Sequence, residues 1–364
     1  MRSGVYNTMA TEEQNVFRVG SRKSELALIQ TEYVIKCLKE LNPDKEFKIV
    51  TMSTKGDKIL NISLPKIGEK SLFTEELENA LENNRVDFLV HSLKDLPTTL
   101  REGLALGAIL EREDPRDAVV MSKAFSAFTL ETLPPGSVIG TSSLRRSAYL
   151  ARNMPHLKVE NIRGNLNTRF KKLDDEKGAY AAIILAVAGL KRMGLENRIS
   201  QYLDSEETLY CVGQGALAVE CREVDPRVLS LLEPLNHFHT TLRCVAERSF
   251  LKYLGGGCSA PVGVSSTLEN KELKITGAVL SLNGKVLIKD TLKCKLYMPS
   301  DDGEPPKKCP YREPRTYCGT VPGNMNAISL FGAEQLGKDI AESLIKQNAL
   351  EVMMEARNEI HSTV

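Results

Sequence analysis

Short apolar runs alternate with stretches of helical period, and that alternation limits the folds open to this chain. The runs are Phe17-Arg18-Val19, Glu46–Met52, Val86–His91, Ser137–Gly140, Val159–Ile162, Ala181–Val187 and Leu217–Cys221. Helical patterns lie between them. Ser24 caps a run through Leu26, Ile29, Val34 and Leu38 that stops near Pro43, because proline cannot continue a helix. Thr74-Glu75-Glu76 opens another, with acids where the helix dipole favours them. A third covers Leu144–Arg152. Strand and helix in alternation predict an α/β fold.

The pattern changes after about residue 237. A helical run, Thr240–Leu254, is followed by alternating strands, Leu273–Val279 and Lys285–Leu292, of a small antiparallel sheet. Gly332–Gln347 is a long amphipathic helix. Residues 296–324 are rich in Pro, Gly and charge and predict an exposed, mobile insertion. A chain of 364 residues suits two or three domains.

Composition excludes several functions. The net charge is +1, so an anion site must be a local cluster and not a global field. There is no tryptophan and aromatics are 5%, which argues against base stacking and a nucleic-acid partner. The eight cysteines form no CxxC pair, which argues for reduced cytosolic thiols and against zinc or a disulfide framework. Met1–Asn15 is polar and lacks the apolar core of a secretory signal, and Met9 offers a second start. The longest apolar run, Ala179–Leu190, is too short to span a bilayer. The expectation is a soluble cytoplasmic protein with no membrane partner.

In open α/β sheets, ligands bind beyond the carboxyl ends of strands. Those places hold Arg22, Lys94, Asp95, Thr141, Ser142, Ser143, Arg145, Arg146, Arg163, Arg169 and Arg192. Hydroxyls and free N–H groups at a helix start bind anions. Arginine forks hold carboxylates or phosphates at two points. One such arginine is an ordinary surface residue, but several on equivalent loops predict a polyanionic ligand. No GxxxxGK[ST] occurs and no GxGxxG follows the first strand, so carboxylate is preferred to nucleotide phosphate. The five histidines form no metal-type cluster, and His91 reads as a packed strand residue. Asp95 lies at a strand end, where a carboxylate can exchange protons with a ligand or simply cap a turn. Cys258 stands in Leu254-Gly-Gly-Gly-Cys-Ser-Ala-Pro261, where glycines remove cover from the thiol. Alone, it reads better as a small packed hydrophobe beside a turn.

Taken together, seven stretches resemble the porphobilinogen deaminase (hydroxymethylbilane synthase) family. They are Val19-Gly-Ser-Arg-Lys-Ser-Glu-Leu-Ala27, Gly68-Glu-Lys-Ser-Leu-Phe-Thr74, His91-Ser-Leu-Lys-Asp-Leu-Pro-Thr98, Gly140-Thr-Ser-Ser-Leu-Arg-Arg146, Arg163-Gly-Asn-Leu-Asn-Thr-Arg169, Val212-Gly-Gln-Gly-Ala216 and Gly255-Gly-Gly-Cys-Ser-Ala-Pro261. The resemblance covers about residues 16–293 and 325–355. It implies three domains. Two resemble the α/β halves of a periplasmic binding protein, residues 16–112 with a returning 213–236, and residues 113–212. The third, 237–364, is a smaller α+β domain with an antiparallel sheet, carrying Cys258 and the insertion at about 296–324. That insertion looks like the extra segment of animal-type members.

The resemblance also implies the chemistry. Four porphobilinogen molecules condense head to tail with loss of ammonia, and water releases hydroxymethylbilane. The chain is primed on a dipyrromethane cofactor held by Cys258 as a thioether. Asp95 would be the catalytic group, moving protons and stabilising positive charge. Lys94, Asp95, Thr141, Ser142, Ser143, Arg145, Arg146, Arg169, Gly189 and Gly215 match cofactor-binding positions. Arg22, Ser24, Arg163, Arg192 and Gln214 match positions that meet the substrate. Phe73, on a loop of residues 56–74 hinged at Gly56 and Gly68, would cover the site. A monomer without metal fits the family. Two other readings stand beside it: a non-enzymatic polycarboxylate-binding module of periplasmic type, and a transferase using Cys258 as a transient nucleophile.

Overall fold

The computed structural model describes residues 15–54, 56, 74–204, 208–255, 260–297 and 315–362. Cys258, Gly68, Phe73, Met1 and Met9 lie outside the described residues.

Two five-stranded sheets are built on the same plan. In the first, β1 (Val16–Arg22) pairs in parallel with β2 (Glu46–Met52) and β3 (Phe88–Ser92). Strand β10 (Leu217–Arg222) lies antiparallel between β3 and β4 (Leu104–Ile109). In the second, β6 (Val138–Gly140) pairs in parallel with β7 (Lys158–Glu160) and β8 (Tyr180–Ala186). Strand β5 (Asp117–Met121) lies antiparallel between β8 and β9 (Gln201–Leu203). Each sheet thus takes as its antiparallel strand the first one formed after a crossing. β5 follows the chain's departure from the first sheet and β10 follows its return. The two crossings, near 110–117 and 210–217, run side by side.

The helices follow their sequence signals. Helix α1 (Glu25–Leu41) starts at Ser24 and buries Thr31, Val34, Ile35 and Leu38 on the first sheet. Helix α2 (Glu75–Glu82) has an acidic first turn. Helices α3 (Leu144–Asn153), α4 (Leu166–Leu173) and α5 (Val187–Arg192) cover the second sheet. Strand β8 packs on both faces. Ala182 and Ile184 join one core while Ile183 and Leu185 join the other, which is why its sequence is apolar without alternation. After α6 (Pro226–Leu232), helix α7 (Phe238–Tyr253) begins the third unit. There β11 (Val262–Glu269), β12 (Glu272–Leu280) and β13 (Leu287–Lys295) form an antiparallel sheet. Helices α7 and α8 (Ala327–Lys346) cover it around Phe250, Val264, Ile275, Leu336 and Ile340. A further helix, α9 (Ala349–Ser362), follows a break at Asn348, whose φ is 69°.

The expectation of an exposed insertion at 296–324 fails at its described ends. Leu296, Tyr317, Cys318 and Thr320 are buried. Leu106 N–H donates to Gly319 O (2.7 Å) and Val321 N–H to Leu106 O (2.9 Å). Residues 319–321 therefore pair along the outer edge of β4, which covers an edge that would otherwise be open. Among the described residues, no helix is long and apolar enough to cross a membrane.

Candidate active site

The centre of the crossing is Asp117, the first residue of β5. Its carboxylate accepts from Arg145 Nη1 (2.7 Å), Arg146 Nη2 (2.6 Å) and Gln214 Nε2 (2.9 Å). Burial opposes its charge, but the two guanidinium groups outweigh burial and hold its carboxyl well below the usual range. Gln214, from the returning crossing, also accepts from Lys94 Nζ (3.2 Å). One amide therefore ties the end of β3 to the start of β5.

Strand β3 ends in a single tight turn, Leu93–Asp95, closed by Leu96 N–H to Leu93 O (3.2 Å). That turn presents Asp95 with its side chain 39% exposed, 3.9 Å from Arg22 Nη1 at the end of β1. Burial lowers the Lys94 pKa, Asp95 opposes that, and Arg146 adds to it. Arg169, on α4, is pushed down to about 10 by burial and by the positive Arg146 and Arg163, with Asp95 opposing. It remains charged at neutral pH. Arg22, Lys94 and Arg169 therefore lie about Asp95, with Arg146 beside Lys94 and Arg169, and Arg163 beside Arg169. The cluster carries more positive charge than Asp95 and Asp117 balance, and the Nε of Arg146 has no hydrogen-bond partner among the described residues. A donor set of this kind suits a ligand bearing several carboxylates. A dipyrromethane with acetate and propionate arms fits that donor set.

The remaining expected residues divide into two groups. Some serve the local backbone. Thr141 Oγ1 accepts from Ser143 N–H (3.2 Å), and Ser142 Oγ lies 2.5 Å from both Asn161 Oδ1 and Ile162 O. Ser143 caps α3. Arg145 is spent on Asp117 and on Leu209 O (2.8 Å). Gln214, expected to meet substrate, is buried and engaged by Lys94, Asp117 and Pro115 O (2.6 Å), so it stands behind Lys94. Others line the gap between the two sheets. Gly215 has φ 89° and no room for a side chain against Glu113 O. Its carbonyl accepts from Arg192 Nη2 (2.7 Å). Gly189 in α5 faces Leu26 of α1 across the gap. Asn167 Nδ2 donates to Glu25 Oε2 (2.6 Å) across its mouth. Ser24 sits at the start of α1 with no side-chain cap bond. Arg163 lies buried where β7 leads into α4.

Sequence reasoning missed the supporting network. Arg112, on the outgoing crossing, makes a two-point contact with Glu247 of α7 (2.6 and 2.9 Å) and donates from Nε to Gln214 O (2.7 Å). Glu247 also accepts from Gly213 N–H (2.9 Å) on the returning crossing and from Ser266 Oγ (2.6 Å) on β11. The third unit thereby grips both crossings at one carboxylate. His91, expected as a core residue, is buried 3.0 Å from Glu220.

Comparison with known proteins gives a consistent result. A sequence model described as porphobilinogen deaminase, dipyromethane cofactor binding domain, matches residues 17–230, and one for the porphobilinogen deaminase C-terminal domain matches residues 241–309. A porphobilinogen deaminase of Synechococcus elongatus is 53% identical over 78% of this chain and 88% of its own. One from Nostoc sp. is 51% identical, again over 78% and 88%. These relatives are cyanobacterial and lend no support to the animal subtype expected from residues 296–324. Among solved structures, the methionine-binding protein MetQ aligns with a TM-score of 0.39 at 15% identity, over 60% of this chain and 89% of its own. That likeness is too distant to add to the sheet topology.

Proposed function

The chain belongs to the porphobilinogen deaminase family, and from that premise we propose how its residues carry out the family's reaction. The enzyme is a transferase that condenses four porphobilinogen molecules head to tail, releasing ammonia at each step, and then releases hydroxymethylbilane by hydrolysis. A dipyrromethane, held through a thioether at Cys258, supplies the ring carbon on which the chain grows.

The observation that carries this proposal is the partly exposed Asp95 within a ring of cations. Among the described residues of that cluster, Asp95 is the exposed acid and Asp117 the buried one. Asp95 accepts the proton from the ring nitrogen or α-carbon and returns it to the departing amine. It also stabilises the positive charge that develops on the substrate. Arg146, Arg169 and Lys94 hold the acetate and propionate groups of the primer. Arg22, Arg163 and Arg192 take those of the incoming molecule, with Ser24 beside them. Asp117 and Gln214 fix Arg145, Arg146 and Lys94 before any ligand arrives, so little reorganisation is needed on binding. The near-zero net charge with a local cationic cluster suits a cytoplasmic monomer whose partner is a small polycarboxylate. A pure binding module would need no carboxylate at the centre of an anion site, where it repels the ligand.

Asp95→Asn tests the proposal. The variant keeps the shape and loses the base, so ammonia release from porphobilinogen should fall by about 10²–10⁴-fold. Release at the wild-type rate would overturn the role given to Asp95.

A further inference from the structure

Arg248 of α7 is among the largest fully buried side chains, 1% exposed. Among the described residues its hydrogen bonds run only to backbone carbonyls: Nη2 to Pro97 O (2.8 Å), Nη1 to Leu96 O (3.4 Å) and Nε to Cys318 O (3.2 Å). Burial depresses its pKa. Buried Glu220 attracts Arg248 without a hydrogen bond between them among the described residues, and a buried cation not hydrogen-bonded to a carboxylate is costly, so a residue serving only to pack would be replaced there by an apolar one at no loss.

Two of those carbonyls belong to the residues directly after Asp95. Among the described residues, the turn at Leu93–Asp95 is held by Leu93 N–H to Ala216 O at its start and closed by Leu96 N–H to Leu93 O, and Pro97 has no N–H to anchor the next step. Arg248 supplies the missing anchor. The third carbonyl comes from a two-residue hairpin. Tyr317 and Thr320 exchange both backbone bonds (2.9 Å each) around Cys318 and Gly319, whose φ values are 46° and 83°. Positive φ at both central positions is the twist that tight hairpins require. Glu334 Oε1 accepts from Cys318 N–H (3.0 Å), and Leu106 of β4 pairs with Gly319 and Val321. Glu334 and Leu106 thus fix the hairpin from two sides, and the hairpin fixes Arg248.

We propose that Arg248, held by the 317–320 hairpin, is a positioning residue that sets the place of Asp95 from the third unit of the fold. The proposal rests on the role given to Asp95 above. It predicts that two substitutions far apart in sequence share one kinetic defect. Arg248→Gln keeps donors but loses the fork. Gly319→Val puts a β-branched residue at φ 83° with its Cβ 3.0 Å from Leu100, which displaces the hairpin.

The test measures kcat, KM for porphobilinogen, the pH profile of kcat and thermal stability for both variants. Leu344→Ala in the α8 core serves as a control of stability alone. The expected result is a fall in kcat of about tenfold or more in both variants, with KM nearly unchanged and the acid limb of the profile displaced. Leu344→Ala should lose stability and keep kcat. If Arg248→Gln loses stability in the same way but keeps the wild-type kcat and pH profile, the positioning role is wrong. Should Arg248→Gln not fold, Arg248→Lys and Gly319→Ala are held to the same criterion. Asp95→Asn separates the two claims. If it turns over normally, the parent role has failed. If it is inactive while Arg248→Gln is fully active, only this inference has.

Discussion

Replacing Glu247 by alanine should be among the most damaging single changes in this protein. The carboxylate is fully buried and accepts from Arg112 twice, from Gly213 N–H, from Tyr210 and from Ser266. Removing it leaves the Arg112 charge buried and uncompensated, which costs about 3–5 kcal/mol. Gly213 N–H and Ser266 Oγ lose their acceptor as well, at about 1–3 kcal/mol each if water cannot replace it. These terms overlap, so the expected loss is on the order of 5 kcal/mol, comparable with the whole stability of many domains. Activity should fall with stability, because Arg112 also holds Gln214, which holds Lys94. Urea unfolding followed by circular dichroism measures the loss. The decisive comparison is a double-mutant cycle with Arg112→Met and Glu247→Met. Removing both charges together should recover most of the stability lost by removing one. A loss below about 1 kcal/mol in Glu247→Ala would place the pair with ordinary surface bridges and refute the reasoning. So would a double variant as unstable as the two single losses summed.

Other expectations follow from the same geometry. Arg169→Lys keeps charge but loses the two-point fork, and kcat/KM for porphobilinogen should fall by about 10–100-fold; steady-state kinetics with unchanged values would exclude fork binding at that position. Asp117 and Glu247 both have depressed folded pKa values. Their contribution to stability is full above the unfolded values of 3.8 and 4.5 and is lost as pH falls below them. Acid unfolding should therefore steepen below about pH 4.5, and Asp117→Asn, although less stable at neutral pH, should show a shallower acid limb in denaturation measured against pH.

Much of the scaffold was legible because local signals agreed with tertiary use. Glu46–Met52 has the bounds that its sequence pattern predicts, and β8 lies within a residue of the apolar run Ala181–Val187. The antiparallel β10 was also legible as Leu217–Cys221, but β5 was not. Strand β5 is short, follows Pro115, and owes its place to pairing with β8 more than sixty residues later in the chain. Helix α9 follows directly on α8, separated from it at Asn348, a residue with positive φ. The candidate site was legible as a set of strand-end residues, since Arg22, Lys94 and Asp95 all lie at such ends. Its support was not. Asp117 gains meaning only beside Arg145 and Arg146, and Glu247 only beside Arg112, 135 residues away. The same holds for residues 315–321. Their composition suggests solvent, but Leu106 and Arg248 give them somewhere to pack.

The central claim is that the carboxylate-binding cluster around Asp95 serves a primer bound covalently at Cys258. Intact-protein mass spectrometry of the purified active enzyme tests this directly. The claim predicts a surplus equal to two porphobilinogens minus two ammonias, mapped by peptide fragmentation to Cys258 and absent from Cys258→Ser. Fully active enzyme whose mass equals that of the bare polypeptide would contradict it.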